Sequence, residues 1–197
     1  ITSVALSCDS VAELNSSKIN NTPIEQLVSE KISKIGENLS VRRLEKIKGS
    51  NISMYIHNSV TENMGKIGVI ISLSKNDPSL GKQIAMHVAA TNPASLSEDD
   101  LSLELIEREK LILTEQARES GKPENIIENM IKGRMKKYFE EVTLLNQKFV
   151  MNPDLTVREA AKAAGAEVLD FVRLEVGEGI DRKEEDFAAE VEKTLHG

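Results

Sequence analysis

The chain has 197 residues, with 32 acidic against 25 basic, a formal charge of −7, only 3% aromatic residues and no tryptophan. That balance disfavours a phosphate backbone as the main partner, and the scarcity of rings removes the stacking platforms a single strand needs, so no direct nucleic-acid binding is expected. One cysteine, Cys8, excludes an internal disulfide and leaves a structural zinc without ligands; the sequence predicts no metal and a reducing compartment.

The length suits one domain or two small subdomains. Apolar runs such as Ile67 to Ile71 fall far short of the roughly 20 residues of a membrane helix, so a soluble chain is expected. No basic stretch, apolar run and small-residue cleavage site open the chain, and its first residue, Ile1, suggests a processed chain or a fragment.

Residues 1–21 carry a loose helical spacing in Val4, Cys8 and Val11, then pass into a polar loop rich in Asn and Ser. Thr22, Pro23 and Glu25 read as the cap, first position and capping-box acid of a helix. Ile24, Leu27, Val28, Ile32 and Ile35 form its apolar face, and Gly36 ends it. Leu39–Ile47, Ile52–His57 and Lys66–Leu73 read as three strands, the last with Ile67, Val69, Ile71 and Leu73 on one face.

A helix over about 79–91 keeps Leu80, Ile84 and Val88 in register until Asn92-Pro93, and Ser97 with Asp100 predicts the cap of a long helix to about Ser120. Gly121-Lys122-Pro123 breaks it. The next helix carries Ile127, Met130, Ile131, Met135, Tyr138 and Val142 along one seam. After Asn152-Pro153-Asp154, Thr156 and Glu159 form a capping box for an Ala-rich helix closed by Gly165. Joined this way, the last two helices predict an antiparallel hairpin over 123–166. Val168–Val176 alternates as a strand, and Phe187, Val191 and Leu195 share the face of a final helix.

Several segments resemble those of the elongation factor Ts family, in the family's order: GENLSVRR at 36–43, GKIGVIISL at 65–73, QIAMHVAATNP at 83–93, SGKP at 120–123, GRMKKYFEEVTLLNQKFV at 133–150, and FVRLEVGEGI with DFAAEV between 171 and 191. The resemblance covers nearly the whole chain from Gly36 onward. It implies an α+β fold of two small subdomains with short antiparallel sheets flanked by helices, plus an inserted helical (coiled-coil) hairpin. The corresponding division is 1–75; 76–122 with 167–197; and the hairpin 123–166.

The implied activity is guanine-nucleotide exchange on the GTPase elongation factor Tu, without covalent chemistry, enzymatic activity or a cofactor, in a bacterial cytoplasm or an organelle matrix. The family's N-terminal helical domain and its Thr-Asp-Phe-Val motif, whose Asp-Phe pair enters the GTPase near the magnesium and phosphates, have no counterpart here. Weakened exchange by a core and dimerisation fragment is therefore expected.

By the family's motifs, Ile67, Gly68 and His87 correspond to partner-binding positions. Read from the residues alone, Ile67 is a core side chain, Gly68 marks a bulge, and His87, three after Ile84, is a hydrogen-bonded core histidine. Arg134, Lys136 and Lys137 form a compact basic cluster that Glu140 and Glu141 neutralise at helical spacing. Gly177-Glu178-Gly179 lacks the spacing and Lys-Ser/Thr ending of a phosphate loop. Adjacent acidic pairs and serines without a nucleophile elbow supply no catalytic constellation. Two other readings stand beside exchange: an oligomerisation module built on the hairpin, giving a homodimer, and a small enzyme hosted by the α+β body.

Overall fold

The computed structural model describes residues 1–180. The expected helix over 186–195, and the DFAAEV segment within it, lie outside the described residues.

Two short helices, α1 (Thr2–Ala5) and α2 (Val11–Ser16), precede a two-stranded ribbon, β1 (Lys18–Ile19) and β2 (Thr22–Pro23). Asn20 and Asn21, at φ 49° and 67°, make its turn, a conformation asparagine tolerates better than most residues. Helix α3 (Ile24–Ile35) follows and stops at Gly36, whose φ of 77° makes a left-handed cap. The expected Thr22 cap does not form. Pairing with Ile19 places Thr22 in β2, and α3 starts with no side-chain cap. Ala5, Cys8, Leu14 and Ile24 close a small core of their own, with Val28, Val41 and Leu44 against it.

The strand expected over Leu39–Ile47 is also absent; these residues join no ladder. Val41, Leu44 and Ile47 are the half-buried positions there, an interval of three that a period-two strand does not produce. The segment instead turns one residue in three toward apolar surface.

Strands β3 (Asn51–Thr61) and β4 (Met64–Leu73) form an antiparallel hairpin, and β7 (Val168–Glu175) pairs with the other edge of β4. One sheet of order β3-β4-β7 results. On one face, Ile67, Val69, Ile71 and Leu73 meet Leu80, Ile84, Ala85 and Val88 of α4 (Pro78–Thr91) in the main core. Each such side chain contributes about 1.5–3 kcal/mol on burial. Asp77 caps α4 by accepting from the Leu80 N–H at 3.0 Å, with Pro78 at the first position. Gly81 lets the helix close on β3, where a methyl group would overlap the Ser53 side chain.

The other face sets Met54, Ile70 and Val172 in one cross-strand row and Ile56, Gly68 and Leu174 in the next. Its large side chains are half-buried or exposed, so both faces of the sheet are apolar.

Helices α5 (Leu103–Arg118) and α6 (Glu124–Val142) pack together across the turn at Gly121. This corrects the expected hairpin, which paired α6 with the next helix. That helix, α7 (Val157–Ala163), is seven residues long and packs on the 3-10 turn Leu144–Asn146 and on the ribbon β5 (Lys148–Phe149) and β6 (Asn152–Thr156), placing Val157 and Ala161 in the main core. Its Thr156–Glu159 capping box forms as the sequence predicts. Ser97 and Asp100 do bond to each other, but α5 begins later, capped by Ser102. Strand β7, which the expected division places in the second unit, is hydrogen-bonded to β4 of the first.

Candidate functional site

Strand alternation separates two of the three candidate residues. Ile67 points into the α4 core and is 8% exposed, whereas Gly68 faces the opposite side, between Ile56 and Leu174. With no side chain at Gly68, the sheet opens into a cleft of about 360 Å³ whose far wall is the backbone and side chains of 40–43. A Cβ at Gly68 would touch only the Ile56 Cδ1, at an ordinary 3.5 Å. The glycine therefore keeps the cleft open; it is not demanded by backbone strain.

Charged groups bind the rim together. Arg43 donates to the Glu178 carboxylate at 2.7 Å and to the Glu175 carbonyl at 2.9 Å, and Arg42 donates to the Glu178 carbonyl at 2.6 Å. From below, Arg173 donates to the Glu175 carboxylate at 2.7 Å and to that of Glu178 at 3.4 Å. Lys66 adds an ion pair to Glu175 at 3.5 Å. The hydrogen bond from Arg173, with the positive charges of Arg173 and Lys66, holds the Glu175 carboxyl below its usual range. Gly177 and Gly179, at φ 80° and 71°, fold the chain back so that Glu178 reaches these arginines. The Gly-Glu-Gly segment is thus the turn of an ion-pair network.

His87 is fully buried in α4. The Val150 N–H donates to its Nδ1 at 3.2 Å, so Nδ1 carries no proton and Nε2–H donates to the Gln147 Oε1 at 2.8 Å. Burial lowers the His87 pKa, and the bond to Gln147 opposes that only in part. Gln147 in turn donates to the Glu141 carbonyl at 2.7 Å. Together with Thr91, Lys136 and Lys137, it lines a surface depression of about 700 Å³. The Gln147 side chain thus links buried His87 to this depression. The basic cluster is paired as the spacing predicted, Lys136 with Glu140 at 3.9 Å and Lys137 with Glu141 at 4.0 Å; Arg134 donates to Gln116.

The three candidates thus do not converge on one surface. Gly68 lines a cleft, Ile67 lies behind it in the core, and His87 sits beneath Gln147. Sequence reasoning missed Arg43, Arg173, Glu178 and Gln147. All four lie inside family-like segments, yet nothing local to Gln147 signals a histidine 60 positions earlier. Among the described residues no cluster of acids, histidines and cysteine is arranged to hold a metal, and no helix is long and apolar enough to cross a membrane.

These features define an α+β scaffold with a cleft, rimmed by ion pairs, over the middle strand of its sheet. The chain belongs to the elongation factor Ts family, whose model, described as Elongation factor TS, matches residues 1–178. It is 57% identical to elongation factor Ts of Paracoccus denitrificans, over all of this chain and 68% of that protein. It is 54% identical to the Dinoroseobacter shibae protein, over 98% of this chain and 66% of that one, and 54% to the Roseobacter denitrificans protein, over 100% and 68%. The chain spans about two-thirds of the length of these relatives.

Proposed function

We propose that this chain is the gripping part of a non-enzymatic guanine-nucleotide exchange factor for elongation factor Tu, acting in a bacterial cytoplasm or an organelle matrix. Family membership supports the partner, and the open backbone at Gly68 is the observation that carries the surface. An exchange factor expels GDP only by binding the nucleotide-free GTPase more tightly than the GDP-bound form. Ile67, Gly68 and His87 serve partner binding from two separate places in this reading. Gly68 offers close backbone approach, Ile67 fixes the strand from within, and His87 acts through Gln147.

Release of a fluorescent GDP analogue from elongation factor Tu, with the chain titrated in and a full-length relative as reference, tests this. Acceleration weaker than the reference is expected of these residues, among which no Thr-Asp-Phe-Val motif occurs. A chain that neither accelerates release nor competes with the reference refutes the reading.

A second reading, a homodimer through the α5–α6 hairpin, is favoured by Leu103 and Leu111, which are 75% and 61% exposed on it. Light scattering at high concentration decides it: a strictly monomeric chain removes that reading.

A further inference from the structure

We propose that Arg43 and Glu178 are positioning residues: with Arg173 and Glu175 they form an ionic clasp that holds segment 39–47 as the fixed wall of the Gly68 cleft. The inference rests on the exchange reading above and adds a role for residues outside the three expected contact positions.

Segment 39–47 has no ladder of its own to hold its backbone. Val41 and Leu44 rest against the small N-terminal core. The ties between the segment and the turn after β7 are ionic. Arg43 spans two acceptors, the Glu178 carboxylate and the Glu175 carbonyl, while Arg42 takes the Glu178 carbonyl. Glu178 is held in turn from the sheet side by Arg173, whose side chain is only 8% exposed and sits in β7 opposite Val69. The carboxylate thus lies between an arginine rooted in the sheet and one rooted in the segment. Two arginines on one carboxylate satisfy several of its lone pairs at once, a stiffer arrangement than a single surface ion pair.

The segment and the turn after β7 both line the cleft around Gly68. Loosening the clasp leaves the sheet intact and lets one wall drift. A partner must then pay the entropy of ordering that wall on binding, so affinity falls while the sheet that carries Gly68 is unchanged.

The test compares the whole chain with Arg43→Gln, Glu178→Gln and the double variant. Two readouts are taken: amide hydrogen exchange, and GDP release from elongation factor Tu against chain concentration. Amides of 39–47 are expected to exchange about tenfold faster in each variant, with those of α4 and β4 unchanged. The half-saturating concentration should rise about five- to tenfold at an unchanged maximal rate, and the double variant should match either single one. Arg43→Lys, which keeps the charge and loses the two-acceptor fork, should recover part of the loss.

Faster amide exchange with an unchanged half-saturating concentration overturns the positioning role, and unchanged amides overturn the clasp. If Glu178→Gln unfolds because Arg173 loses an acceptor, the two Arg43 variants decide by the same criteria. A wild-type chain without binding or acceleration refutes the exchange reading itself, a result distinct from any failure confined to the variants.

Discussion

At Gly68 the proposed partner contact rests on a missing side chain. Its neighbours leave ordinary van der Waals room for a Cβ, unlike Gly81, where α4 closes on Ser53. Gly68→Ala should therefore change stability by less than about 1 kcal/mol while narrowing the cleft. Partner affinity, measured by competition, should fall well beyond that stability change. Gly81→Ala should cost about 1–3 kcal/mol by overpacking, read from urea midpoints. His87 carries a pH signature. Its folded-state pKa lies below the ordinary imidazole value near 6.5, so the unfolded chain takes up the proton first. Its contribution is complete above about pH 6.5 and declines as pH falls from there through the folded pKa. Urea denaturation between pH 8 and 5 should show that decline in the native chain and lose it in His87→Gln. The depressed carboxyl of Glu175 has its effect lower, its stabilisation present above the ordinary carboxylate range and lost as pH falls through its folded value.

Elements were legible where local chemistry decides them. Strand β4, helix α4, the Gly36 stop and the Thr156 capping box follow from periodicity and end signals within a few residues. Thr156→Ala should cost about 1 kcal/mol, checked by thermal unfolding, because it removes a cap that accepts from the Glu159 N–H. Partners were less legible. A helical period says which face of α6 is apolar, yet both α5 and α7 are its sequence neighbours, and only packing assigns α5 to it. Segment 39–47 shows the same limit: its hydrophobic residues resemble a strand until their interval of three is matched against the surfaces they meet.

For the molecule as a whole, the three-stranded sheet carries the load, since α4, α7 and the β5–β6 ribbon all contribute to the core on one of its faces. Ile71 is fully buried there. Ile71→Ala should cost about 2–5 kcal/mol and shift the urea midpoint of the entire domain, because the removed methyl groups leave a cavity in a continuous core. At this scale the candidate site is a property of strand pairing. Gly68 opens a cleft only because β3 and β7 flank it, and that cleft has a wall only because residues 39–47 are tied to the turn after β7, more than 130 positions away in the chain.

By itself the sequence determined the α+β class, the main helices and strands, the inward face of β4 and the family-like segments, because these rest on spacing over a few turns and on motif order. Only the tertiary structure decided that β7 completes the sheet of β3 and β4, that α5 is the partner of α6, that Gln147 bonds to His87, and that three arginines and two glutamates hold the rim. Strand pairing, hydrogen bonding and ion pairing depend on distance in space: His87 and Gln147 are 60 positions apart and Arg43 and Glu178 are 135, so neither member of either pair carries a local trace of the other.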